Sequence, residues 1–230
     1  MLKSFGLLLI KPGFLSKEYI LGRRNLYTKP LPLFLIINLL YFFFQPVDTF
    51  YSGYYSQTEH QNYSNYAKKI ADSKMKTLNL SKVQFANRYN KAAMDYSKTL
   101  IILLVFLFSI PLSIVFWKRE GLYFNHIIFS LGYISFILLG PILLLSIIVK
   151  ILQFILKNYF EIIFQPNING LAFSSLIASI LLLYLIKGLH RFYEQKYIWI
   201  IPKALFLLAS TIAVIIGYRF LMFLIIIQSI

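Results

Sequence analysis

Three groups of residues in this chain have types and spacings that could do chemistry. The first is Asn125-His126 with Ser130 and Tyr133, where positions 126, 130 and 133 fall on one face of a helix. A buried histidine among hydroxyl side chains can relay protons or bind an ion. The plainer alternative is a histidine bonded to a neighbouring helix, and a zinc site would need further ligands that no spacing supplies. The second group is Arg23-Arg24 with Tyr27 and Lys29. Forked guanidinium hydrogen bonds and an interfacial phenol could hold a lipid phosphate, or the same cations could simply anchor a helix at the membrane edge. The third is Arg219, which stands between Gly217-Tyr218 and the apolar tail FLMFLIIIQSI. Deep in a bilayer it would cost at least ~2.5 kcal/mol and would require a partner such as Glu161 or a backbone carbonyl. A span ending near Arg219 would remove that cost.

What is missing narrows the chemistry further. With no cysteine, disulfides, thiolate catalysis and cysteine-ligated zinc are excluded. Of the eight acids, Asp48, Glu59, Asp72 and Asp95 fall in one polar stretch, and Glu18, Glu120, Glu161 and Glu194 stand at the edges of apolar segments. An ion-coupled transporter ordinarily carries an acid inside a span, so this distribution weighs against that class. Paired carboxylates at useful spacing, a phosphate-binding glycine loop, a His-Glu zinc helix and a nucleophile elbow are all absent, as is an internal repeat. Neither an enzyme nor a cofactor is expected.

The elements that must position these groups follow from composition. Of 230 residues, 59% are hydrophobic and 13% charged, about half the charged fraction of a soluble domain. The apolar residues gather into blocks, which predicts an all-α polytopic membrane protein of about five transmembrane helices. Residues 1–30 form an N-terminal cytoplasmic or interfacial segment, expected to lie at the membrane surface and lacking the marks of a cleaved signal peptide. The spans are placed at 31–45, 99–117, 123–149, 171–186 and 198–230. The first is short and the last too long to cross without tilting or breaking. Pro111 and Gly140-Pro141 predict kinks. Between the first two spans, 46–98 is one long extracytoplasmic polar loop, partly helical.

The net charge of +15 would suggest nucleic acid in a soluble protein, but here the basic residues flank apolar spans, so no nucleic-acid partner is expected. Lys3, Lys11, Lys17, Arg23, Arg24 and Lys29 precede the first span, Lys118 and Arg119 join the second to the third, and Lys187, Arg191 and Lys196 join the fourth to the fifth. In a five-span chain these lie on one side, which the positive-inside rule makes cytoplasmic, leaving the C-terminus outside. Anionic lipid headgroups at Arg23, Arg24, Tyr27, Lys118, Arg119, Lys187 and Arg191 are the expected partners, with a protein partner or a second copy also open. His126, Ser130, Tyr133 and Arg219 are the candidate intramembrane polar site. A small transporter or channel hinged at the two kinks is the alternative.

The stretches PGFLSKEYILGRRNLYTKPLPLFLIINLLYFFF, FSIPLSIVFWKREGLYFNHIIFSLGYISF and LLYLIKGLHRFYEQKYIWIIPKALFLL resemble a family of bacterial integral-membrane proteins of unknown function. The matching positions are Pro12, Gly13, Gly22, Arg24, Tyr27, Pro30, Pro111, Tyr123, His126, Arg191 and Tyr193. The resemblance implies a multi-pass protein of the bacterial inner membrane and carries no activity with it. Many such proteins have an N-terminal zinc ribbon that this chain lacks, and often a second histidine where this chain reads Ser130-Leu131-Gly132-Tyr133.

Overall fold

The computed structural model describes residues 2–23, 26–44, 50, 52–117, 123–160 and 170–230. Among these there are helices and turns and no strand. The helices are α1 (Leu2–Ile10), α2 (Phe14–Ile20), α3 (Pro30–Phe44), α4 (Tyr54–Glu59), α5 (Ser64–Leu78), α6 (Lys82–Leu100), α7 (Leu103–Val115), α8 (Tyr123–Ile137), α9 (Leu145–Phe160), α10 (Leu171–Tyr193) and α11 (Tyr197–Ser229), with a π-helical segment, Leu138–Leu144, joining α8 to α9. Three are long and apolar enough to cross a membrane: Tyr123–Asn158, Leu171–Tyr193 and Tyr197–Ser229. A fourth is reached if α6 and α7, bent by 55° at their short break, are taken as one span. At 15 residues α3 is shorter than these, reaching about 22 Å against the ~30 Å of hydrocarbon. The chain is therefore all-helical with three to four helices able to span a bilayer, and the expected fifth depends on α3.

The chain divides into two compact units, one of residues 1–47 and 108–211, the other of 48–107 and 212–230. The first is organised around α8. From His126 to Leu139 that helix and its continuation are almost wholly buried, with Phe129, Ser130, Tyr133 and Leu138 essentially inaccessible. α3 packs along α8 and the π-helical segment. Its spacing explains why: Leu33, Phe34, Ile37, Asn38 and Tyr41 make an inward stripe, and Leu31, Leu35, Leu39 and Phe43 are exposed on the opposite face. Exposed apolar stripes also run along α7 at Phe106, Ile110 and Ile114 and along α9 at Ile148, Ile151, Leu152 and Ile155. A soluble protein would have to cover such surface, whereas lipid covers it without cost. Gly140 and Pro141 sit inside the π-helical segment. Proline removes one amide donor and crowds the carbonyl four residues back, and the wider turn relieves that crowding. Pro111 lies within α7, where Ser113 Oγ donates to the Ile110 carbonyl and Ser109 pairs instead with Tyr123.

In the second unit the polar stretch is more ordered than its composition suggests, forming α4, α5 and α6. α5 ends where Asn79 adopts a left-handed conformation (φ 51°), a position asparagine tolerates well. α6 starts at a capping box in which Ser81 and Gln84 satisfy one another's backbone amides. Phe85, Ala86, Tyr89, Ala93 and Ser97 form its inner stripe. Tyr54 meets Phe85 and Tyr89 in edge-on contacts, and Tyr89 meets Phe223 of α11. α6 runs on past residue 99, where the second span was expected to begin, as far as Leu100.

Candidate functional site

α8 carries its polar groups down one face, as the spacing of 126, 130 and 133 predicts, and each has a partner in the first unit. His126 Nδ1 lies 2.6 Å from Tyr193 Oη on α10. Ser130 Oγ turns away from the imidazole and donates to the His126 carbonyl at 2.8 Å. Tyr133 Oη lies 3.2 Å from Thr211 Oγ1 on α11, and Tyr123 Oη 2.5 Å from Ser109 Oγ on α7. Tyr193 also stacks on Phe116 with ring centres 3.7 Å apart, and Lys203 Nζ sits 4.3 Å from the Phe116 centroid while donating to Gln195. These contacts join α7, α8, α10 and α11 through buried hydrogen bonds. Among the described residues no three His, Asp or Glu side chains come together as a metal site.

A second constellation surrounds the N-terminal helices. α1 and α2 form a hairpin whose turn, Lys11-Pro12-Gly13, packs against α10. Gly13 has φ +71°, and a Cβ there would stand 2.6 Å from the Gly188 carbonyl oxygen. Glycine is thus required at position 13, where the turn meets the backbone of Gly188. Arg191 Nη1 donates to the Pro12 carbonyl at 2.6 Å. Ser16 Oγ donates to the Ile128 carbonyl, and Lys17 bridges to Glu194 at 2.6 Å. Pro12, Gly13, His126, Arg191 and Tyr193 therefore gather at the junction of α2, α8 and α10, from sequence positions up to 181 apart.

The expected cationic edge is placed in part. Arg23 is more than half exposed and bonds Glu18 at 3.1 Å. Tyr27 meets the edge of Phe14 and carries Lys3 over its ring. Lys187 is exposed, and Arg191 is engaged by Pro12 as above. Arg24, Lys118 and Arg119 lie outside the described residues, as does Glu161, the suggested partner of Arg219. Sequence reasoning missed Gly188, Ser16 and the Lys17–Glu194 pair. Gly188 follows Lys187 inside an apolar helix, where a glycine costs about 1 kcal/mol against alanine, and that cost is the signal that would have found it.

Arg219, the fourth residue of the candidate intramembrane polar site, belongs to the second unit. Its carbonyl accepts from Gln57 Nε2 at 3.2 Å, and Tyr63 Oη donates to Gln57 Oε1. Burial pushes the Tyr63 phenol up to about 12, against the opposing charge of Arg219. Burial also raises Tyr54, helped by Asp72, Tyr55 and Glu59. An open groove at the turn between α5 and α6 is lined by Asp72, Met75, Lys76, Asn79, Leu80 and Lys82.

No curated protein and no solved structure matches this chain. Residues 1–42, which contain the α1–α2 hairpin and most of α3, match the model of a family described as a protein of unknown function (DUF3667).

Proposed function

We propose that this protein is a multi-pass component of a bacterial inner membrane that acts by binding rather than by catalysis, holding anionic lipid headgroups or an acidic partner at its basic edge. The observation that carries this reading is a surplus of exposed cation beside exposed apolar surface. Glu18 and Glu194 are bonded to Arg23 and Lys17, while Lys3, Lys11, Lys29, Lys187 and Lys196 are exposed in the same unit. Lysines at the ends of apolar helices extend toward headgroups and attract anionic lipid, each by about 1 kcal/mol near the surface. Arg191 serves the hairpin turn, so the headgroup-facing role passes to Arg23 and Lys187, joined by Arg24, Lys118 and Arg119. Five spans with a cytoplasmic N-terminus and an external C-terminus would put these cations on one side.

The test is native mass spectrometry of the gently solubilised protein beside Arg23→Ala/Lys187→Ala. The expected outcome is a retained anionic lipid or stoichiometric partner that the double variant loses. Equal retention, or none by either protein, would reject the binding role. A second reading, a small transporter or channel, draws support from the π-helical break at Gly140-Pro141 inside a half-buried apolar helix, since such breaks often serve as hinges. Proteoliposomes that pass neither ions nor small solutes would exclude it.

A further inference from the structure

We propose that Leu2–Leu21 is a re-entrant hairpin, entering and leaving the lipid on one side with its Lys11-Pro12-Gly13 turn held inside the leaflet and Ile10 turned to the acyl chains. The inference rests on the membrane reading above and deepens it by naming the surface that meets the lipid.

The depth follows from the register of the hairpin on α8. At the C-terminal end of α2 the Tyr19 ring lies 6.5 Å from Phe124, in the first turn of α8. One turn back, Ser16 bonds the Ile128 carbonyl, and a Cβ on Gly132 would stand 2.8 Å from Ser16 Oγ. On the other arm, Leu9 Cδ2 would lie 3.5 Å from a Cβ on Gly140. The α2 contacts therefore climb from position 124 through 128 to 132, and the turn itself faces Gly188, whose added Cβ would stand 3.4 Å from Phe129. The turn thus lies roughly six to nine residues beyond Tyr123, or about 9–14 Å along a helix and within one leaflet. That distance lies within the apolar stretch Tyr123–Asn158.

A turn at such a depth is tolerated only if its backbone groups are bonded within the protein, and this one meets that condition. The Lys11 amide donates to the Leu7 carbonyl, and the Lys11 carbonyl accepts from Phe14. Proline has no amide to satisfy, and its carbonyl takes Arg191 Nη1. The Gly13 carbonyl accepts from Lys17. A hairpin lying in water would have no need of an arginine from another helix on its turn. Pro12 and Gly13 are buried, whereas Ile10 is 79% exposed. The Lys11 ammonium lies over the Phe14 ring, 5.6 Å from its centroid, on a stem long enough to extend toward the headgroups. Lys3, Lys17, Arg23 and Lys29 carry the positive charge suited to an anionic surface.

The absence of native cysteine makes the test direct. Single cysteines at Ile10, Lys29 and Lys196 are placed in the full chain, reconstituted in vesicles, and exposed to a membrane-impermeant maleimide from each face. The expected result is that Lys29→Cys and Lys196→Cys react from one face only, the same face for both. Ile10→Cys should lose labelling from either face, regain it in detergent, and carry a fluorophore quenched better by nitroxide lipids labelled mid-chain than at the headgroup. Labelling of Ile10→Cys in vesicles as fast as Lys196→Cys would overturn the proposal in favour of a hairpin at the surface, and continued silence in detergent would overturn it in favour of burial in protein. Extraction of all three variants from vesicles by alkaline carbonate would instead defeat the membrane reading itself.

Discussion

Gly13 meets two independent constraints, a left-handed backbone and a neighbouring carbonyl where a Cβ would go. Its replacement by alanine should cost about 2 kcal/mol or more, about 1 from the backbone alone and the rest from displacing α2 against α10. Thermal unfolding in detergent should show the loss, whereas Gly6→Ala, which meets nothing within 4 Å, should not destabilise. Tyr63 supplies a pH signature in the second unit. Its phenol is raised to about 12 by burial, above the ordinary value near 10. The folded state therefore holds this proton more tightly than the unfolded one. The stability it contributes is complete below about pH 10 and is lost as pH rises from there through 12. Ultraviolet titration of phenolate should show a late component that Tyr63→Phe removes. Because the charge of Arg219 opposes the rise, Arg219→Gln should move that component later still.

The helices divide into those whose own sequence explains them and those that depend on a neighbour. α6 has both kinds of support, a complete capping box at Ser81 and an inner stripe of Phe85, Tyr89 and Ala93. Ser81→Ala should cost about 1 kcal/mol, as loss of a capping hydroxyl usually does, and hydrogen exchange should show it as faster opening of the first turn. The π-helical segment is held open by Pro141. Pro141→Ala restores the missing donor and removes the need for the wider turn, so residues 138–144 should gain exchange protection. If the break is a hinge for transport, the same change should abolish flux; if it merely accommodates the proline, lipid retention should be unchanged.

At the scale of the whole chain, charge distribution decides orientation. With its N-terminus in the cytoplasm, a five-span protein should place Ser81 outside and Lys196 inside. Single-cysteine labelling should then find Ser81→Cys reactive from one face of the vesicle and Lys196→Cys from the other. Labelling from one face would require an even number of crossings between the two positions, and therefore a different role for α6 and α7 than a single bent span. A four-span chain leaves α3 as the helix that fails to cross.

The sequence by itself determined the helical class, the apolar blocks and the common face of His126, Ser130 and Tyr133, because these depend on local composition and on a 3.6-residue period that any helix imposes. A family resemblance singled out Pro12, Gly13, Arg191 and Tyr193 without saying what they do. Only the tertiary structure decided that Arg191 bonds the Pro12 carbonyl, that Gly13 fits against Gly188, and that His126 meets Tyr193. Helices that cross can touch wherever their surfaces leave room, and no periodicity within one helix records its neighbour. An arginine beside an apolar tail is recognised by cost, but its surroundings, here Gln57 and Tyr63, are chosen by the packing of α11 on helices far away in the chain.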